Sequence, residues 1–146
     1  MIDPHTLETL EYDKVLSLIA GQCITPYGSP NVAGFTPLTD IEIIRRRQAE
    51  IAEMRDIVTF GAAFPLYRME DARELLDKST VDGIFLDPEE IRTVLELIEV
   101  SIAIREYDEE GRENFPLVTE YIEQVRAFPE VRKDILKAID ERGEIK

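Results

Sequence analysis

The stretch "LDPEEIRTVLELIEVSIAIREYDEEG", residues 86–111, constrains the fold more than any other part of the chain. Asp87 offers a short side-chain oxygen to the free N–H groups of a helix start. Pro88 supplies a fixed φ where no N–H is needed, and Glu90 places an acid in the first turn. Ile91, Val94, Leu95, Ile98 and Ile102 recur at three- and four-residue spacing along one face, and Leu97, Val100 and Ile104 form a second. Mainly Arg92, Glu96, Glu99 and Glu106 are left to face water. A helix apolar over that much of its girth must have neighbours on two sides. It is the expected centre of a helical bundle.

The remaining segments supply those neighbours. In "TLETLEYDKVLSLIA" Thr6 is placed to cap a first helix, although Thr9 stands where a full capping box has an acid or glutamine. The stripe Leu7, Leu10, Val15, Leu18 and Ile19 carries to Gly21, a C-cap, and the other helices are expected to cover it. "CITPYGSPNVAGFTPLTD" reads as a connection with a short helical turn at Ser29–Ala33; prolines 26 and 30 leave the length of that element open. In "TDIEIIRRRQAEIAEMRDIVTFG", Thr39 and Glu42 have capping-box spacing. Ile41, Ile44, Ile51, Met54 and Val58 share one face around Gln48, and the helix ends near Gly61. "EDARELLDKS" predicts a short helix with Leu75 and Leu76 inward, and "TVDGIFLD" a turn. "FPLVTEYIEQVRAF" predicts a helix burying Leu117, Val118, Tyr121, Ile122 and Val125, and "PEVRKDILKAIDERG" a last one with Pro129 in its first turn and Gly143 just past its end. The fold class is all-α, a helical bundle of five to six helices joined by short links, in a single domain over residues 1–146.

Charge narrows the function. Acids outnumber bases 31 to 17, a net charge of −14. Sequence-independent nucleic-acid binding needs Lys and Arg to displace counterions, so a broad phosphate-binding surface is excluded unless the few bases cluster. The single cysteine, Cys23, allows neither an internal disulfide nor a multi-cysteine metal site and points to a reducing compartment. The N-terminus lacks the basic and apolar regions of a signal peptide, and no apolar run approaches the roughly 20 residues that span a bilayer. A cytoplasmic protein with no membrane contact is expected.

Motifs for chemistry are missing from the sequence. No glycine is followed directly by lysine, so there is no phosphate loop; G-x-G-x-x-G, H-E-x-x-H and C-x-x-C are also absent. His5, the only histidine, reads as a solvated or capping residue, and Cys23 as a half-buried apolar one. The acids Asp87, Glu89, Glu90, Asp108, Glu109 and Glu110 fall at helix ends or in a loop, where capping and solvation account for them. Arg45, Arg46 and Arg47, with Arg55 further on, are the one basic cluster. Consecutive helix positions diverge by about 100°, so these cannot form one strip, and Glu42 and Glu50 lie a turn away as ion-pair partners. They remain candidates for a nucleic-acid or partner contact. No catalytic, cofactor-binding or metal-binding residue is assigned, and the segment is not expected to be an enzyme.

Taken in order, the pieces resemble the N-terminal region of the bacterial MutS-two branch of the MutS family. "TLETLEYDKVLSLIAGQCITPYGSPNVAGFTPLTDIEII" is similar to that branch's opening, with its T-L-E-aromatic-D-K helix, P-x-G turn and P-x-T-D helix start. "RRRQAEIAEMRDIVTFG" resembles the long helix that follows, and "FPLYRMEDARELLDKSTVDGIFLDPEEIRTVLELIEVSIAIREY" a short helix, an L-x-P-E-E cap and another long helix. "FPLVTEYIEQVRAFPEVRKDILKAIDERGEIK" resembles the stretch ending in a D-E-x-G-x-I/V turn. Gln22-Cys23-Ile24 and Pro30 depart from the pattern. The resemblance implies a MutS core-like region that opens without the mismatch-recognition and connector domains of repair-type MutS. It implies, further along a longer chain, lever helices, a dimerising ATPase using ATP and Mg, and an Smr nuclease-like domain. Branched DNA, suppression of recombination and ribosome rescue are the activities it implies for that parent. None of those motifs lies in these residues, so this segment would be structural and its first partner the rest of the parent chain. A self-standing acidic helical module that binds a basic protein is the alternative.

Overall fold

The computed structural model describes residues 3–139. Along the chain run α1 (Pro4–Thr9), α2 (Tyr12–Ala20), α3 (Gly28–Ala33), α4 (Ile41–Phe60), α5 (Arg73–Ser79), α6 (Pro88–Arg105), a 3-10 turn (Arg112–Asn114), α7 (Pro116–Gln124) and α8 (Pro129–Ala138). No β-strand occurs among the described residues, and none of their helices is long and apolar enough to cross a membrane. The class is all-α. Among the described residues eight helices stand where five to six were expected, because the first stripe is split in two and the turn after Tyr27 closes a full helix.

Helix α6 begins as its residues dictate. Asp87 Oδ1 accepts from the Glu90 N–H at 2.9 Å, and Glu90 Oε2 accepts from the Asp87 N–H at 2.8 Å, closing a reciprocal capping box. Lys78 of α5 adds its ammonium to the same carboxylate at 2.5 Å, tying the two helices. Leu95, Ile98 and Val100 are buried, and α6 touches α5, α7 and α8, the two-sided packing that its apolar girth requires.

The principal core lies where α4, α7 and the C-terminal end of α6 converge. Ile57, Tyr107, Phe115, Val118 and Ile122 are buried together, with Met54, Phe64 and Ile104 against them. Phe64 meets Tyr107 edge-on at 4.9 Å between ring centroids, and the Tyr107 hydroxyl donates to the Ala62 carbonyl at 2.8 Å. Helix ends here are closed by side chains from elsewhere. Glu53 of α4 accepts from the Val118 N–H at 2.9 Å, serving the start of α7, where Phe115 makes no side-chain cap. Arg112 donates to the carbonyls of Arg105 and Tyr107, and Arg105 to that of Ile122, placing cations at the C-terminal ends of α6 and α7.

The N-terminal stretch departs from its pattern. The helix breaks at Glu11, whose backbone is left-handed (φ 52°), and the N-cap is Asp3 rather than Thr6. No residue of α1 or α2 is buried; Leu10 is 66% and Leu18 72% exposed, so the expected covering of that stripe does not occur. Among the described residues, α1 packs on α2 and α2 on α3, and neither comes close to a helix after α3. Tyr27 joins this arm to the body: its hydroxyl accepts from the Ala72 N–H at 3.0 Å, and the Arg73 guanidinium lies 5.4 Å from its ring centre.

Smaller corrections share one cause, the direction from which neighbours arrive. At the start of α4, Asp40 and not Thr39 accepts from the N–H groups of Glu42 and Ile43. Helix α7 covers the Ile57 face, so Ile51 and Val58 are exposed, as are Ile41, Leu76 and Tyr121. Gly143, expected just past the end of the last helix, lies outside the described residues.

Removing side-chain volume at Ile122, 1% exposed, should cost about 2–5 kcal/mol as Ile122→Ala. Leu18→Ala, at a site 72% exposed, should stay within about 0.5 kcal/mol of the parent. Asp87→Ala should cost about 1 kcal/mol through loss of the cap. Urea denaturation of the three variants checks all three values.

Candidate functional site

The arginines of α4 separate as helix geometry demands. Arg46 and Arg47 converge on one carboxylate, Glu50, at 3.1 Å and 2.8 Å, and each also crosses to α7. Arg46 reaches Glu120 at 2.5 Å, and Arg47 donates to the Tyr121 hydroxyl at 2.6 Å. Arg45 points away to Glu42 at 2.9 Å, and Arg55, two turns on, pairs with the adjacent Asp56 at 2.9 Å. The structure therefore brings together two of the four candidates and leaves Arg45 and Arg55 as separate exposed cations.

Glu50 is the charged residue buried among the core-forming positions, at 9% exposure. Burial pushes its carboxyl up, but hydrogen bonds from Arg47, Tyr121 and Arg46, with the Arg47 charge beside it, prevail and hold it below the ordinary carboxylate range. The same contacts raise both guanidinium groups above their usual value: for Arg46 chiefly the Glu120 hydrogen bond, for Arg47 chiefly that to Glu50. Two positive charges thus meet two carboxylates and a phenol within the protein. That arrangement joins α4 to α7 and uses within the chain itself the charge that a phosphate would need.

The other reactive residue types are dispersed. His5 lies within α1 with its side chain 84% exposed, its Nδ1 4.0 Å from Glu8. The Cys23 thiol donates to the Ile19 carbonyl at 3.8 Å and fills the space beside Gly28, where an added Cβ would meet the sulfur at 3.2 Å. Glu106, Asp108, Glu109 and Glu110 line an open acidic hollow, and the Asp108 carboxylate folds over Gly111, where an added Cβ would displace it. No group of three or more His, Cys, Asp or Glu arranged to hold a metal ion exists among the described residues.

Apolar furrows are the surface features that periodicity alone does not reveal. One of about 320 Å³ runs between α4, α6 and α7, lined by Ile51, Met54, Ile104, Val118, Ile122 and Val125 beside Glu50 and Tyr121. Another of about 400 Å³ lies between α6 and α8, lined by Ile91, Val94, Val131 and Ile135. Each lies between helices the sequence predicts correctly. The signal for the first is the apolar face of α4 to which Ile51 and Met54 belong.

Such a surface belongs to an all-α module that presents apolar furrows and an internal ion-pair network. Comparison with known proteins is consistent with a part of something larger. The chain is 30% identical over 145 residues to a protein named Endonuclease MutS2 from Symbiobacterium thermophilum, covering 99% of this chain and 18% of that one. It is 29% identical over 144 residues to the Endonuclease MutS2 of Pelotomaculum thermopropionicum, again 99% and 18%. To that of Geobacillus kaustophilus it is 28% identical over 152 residues, 99% and 19%. The chain spans less than a fifth of the length of these relatives. No protein-family model matches it, and no solved structure does.

Glu50→Gln removes the shared charge and should destabilise the chain by about 1.5–3 kcal/mol at pH 7, the range for hydrogen bonds to charged groups. Because the folded carboxyl is held below its unfolded value of about 4.3, its contribution is complete above that pH and is lost as pH falls through the folded value. Urea midpoints of parent and variant should therefore differ at pH 7 and converge toward pH 3.

Proposed function

We propose that this chain is the N-terminal core segment of a MutS2-type protein and that its role there is structural. The observation that carries the reading is the match of 99% of the chain to 18% of the relatives' length. The uncovered apolar faces support it: Leu10, Leu18, Ile51 and Val58 lie 66–72% exposed, surface that suits further protein from the same chain. On this reading ATP and Mg binding, homodimerisation, and the endonuclease activity for which the relatives are named belong to other regions of a cytoplasmic parent. That parent would act on branched DNA, limiting recombination, or on ribosomes. Arg45 and Arg55, whose guanidiniums reach solvent, are the cluster members best placed to touch a nucleic acid or a partner, while Arg46 and Arg47 serve the α4–α7 contact.

The native reading frame is expected to continue beyond Lys146 into a G-x-x-x-x-G-K segment, and the full chain to hydrolyse ATP and bind branched DNA. The 146-residue piece should show no ATP turnover. A stop codon directly after Lys146, or turnover by the piece alone, overturns the reading. Salt-sensitive binding to a cationic protein would then favour a self-standing acidic module. In the full chain, Arg45→Ala with Arg55→Ala should lower the slope of log affinity against log salt by about 0.9 for each duplex phosphate that is no longer neutralised. An unchanged slope removes nucleic acid as their target.

A further inference from the structure

A short helix persists only when something else in the fold holds it. Helices α1, α2 and α3 have six, nine and six residues, below the length at which an isolated helix is stable in water. They pack in chain order, and among the described residues none comes close to a helix after α3. Val32 is the one buried residue between positions 3 and 34. Little apolar area is therefore withdrawn from water to hold this arm, whereas α6 and α7 bury Leu95, Ile98, Val118 and Ile122.

The arm rests on a loop, residues 61–72, that the body of the fold holds from its other side. Tyr107 donates its hydroxyl to the Ala62 carbonyl and takes Phe64 against its ring, and Met69 and Ala72 are buried. From the arm, two side chains reach this bed. Tyr27, at the start of α3, accepts the Ala72 N–H at 3.0 Å, and the Arg73 guanidinium lies 5.4 Å from its ring centre. Ile24, half exposed, borders a hollow of about 310 Å³ that it shares with Val58, Phe64 and Leu66. An unfilled hollow forfeits the close contacts that make packing cohesive, so Ile24 holds weakly and Tyr27 carries the joint. The chain leaving the arm is equally loose. Residues 36–39 make no backbone hydrogen bond among the described residues, and Phe35 and Leu38 are exposed. The body resumes at Asp40, which caps α4.

We infer that α1–α3 form a hinged arm that leaves and rejoins the body as one unit, with residues 36–39 as the hinge and Tyr27 as the latch. One aromatic side chain closes the joint, so release costs far less than opening the core, and the arm opens many times for each opening of the body. Release uncovers the hollow beneath Ile24 and returns the Ala72 N–H to water. The freed helices, too short to stand alone, then lose their hydrogen bonds together, so their amides exchange with solvent whenever the latch opens. All the contacts involved lie within this chain, and the device does not depend on the MutS2-type reading above.

Hydrogen exchange of the full chain, followed by peptide mass spectrometry, tests the arm. Amides of α2 and α3 should share one level of protection, at least about tenfold below that of α6 and α7. Tyr27→Phe keeps the ring and removes the acceptor, leaving the Ala72 N–H unpaired in the closed state. It should speed exchange in α2 and α3 alike by about tenfold and leave α6 and α7 at the parent rate. Protection in α2 and α3 equal to that in α6 and α7 removes the separate unit. Acceleration confined to α3 shows local fraying in place of a hinged arm, and acceleration that extends equally to α6 and α7 makes Tyr27 part of the common core. Unchanged exchange in Tyr27→Phe removes the latch. Any of these four results overturns the inference.

Discussion

The α4–α7 contact is the interaction on which the arrangement of this chain depends. Among the described residues α7 is the helix whose backbone comes closest to α4, so the position of the longest helix is set mainly by this seam. Three kinds of force act there at once. Ile57 packs against Val118 and Ile122 in the core, Glu53 satisfies a free N–H at the start of α7, and Glu50 gathers Arg46 and Arg47 at the edge. The apolar part supplies attraction without direction. The hydrogen bonds and ion pairs fix register, since a shift of one turn would leave the buried Glu50 and the half-buried Glu53 without partners.

A chain with 31 acids holds together partly because several of them sit where backbone donors or cations need an anion. Asp40 and Asp87 cap α4 and α6, Glu90 closes the second half of a capping box and binds Lys78, and Glu53 caps α7 from outside. The positive ends of helices thus absorb part of an excess that would otherwise repel itself. The bases are deployed in the same way: Arg105 and Arg112 close helix C-termini, and Arg46 and Arg47 join two helices. Their work is internal, and this accounts for a basic cluster in sequence that forms no basic patch in space.

The parts that do not close on themselves are equally informative. Helices α1 and α2 keep an apolar stripe in solvent, and α4 keeps a second one on the side away from α7. A domain of this length can bury most of its large apolar side chains, so two long uncovered stripes on the same molecule are a property to be explained. Similarity to a small fraction of much longer proteins supplies a natural setting for both.

By itself the sequence determined the helices and most of their ends. Asp87, Pro88 and Glu90 act within one turn, and an all-round apolar helix needs company whatever surrounds it, so α6 and its central place were legible. The pairing of Arg45, Arg46 and Arg47 with Glu42 and Glu50 was legible for the same reason, being a matter of one helical turn. Only the tertiary structure decided which apolar stripe is covered. Leu18 and Ile122 look alike in periodicity, yet one is 72% and the other 1% exposed, because α7 is met by α4 and α6 while α2, among the described residues, is met by none of the helices after α3. The same holds for Glu53 and Arg112, whose roles depend on helix ends far away in sequence or beyond a turn. Periodicity reports that a face is apolar; what lies against it depends on contacts that no local pattern encodes.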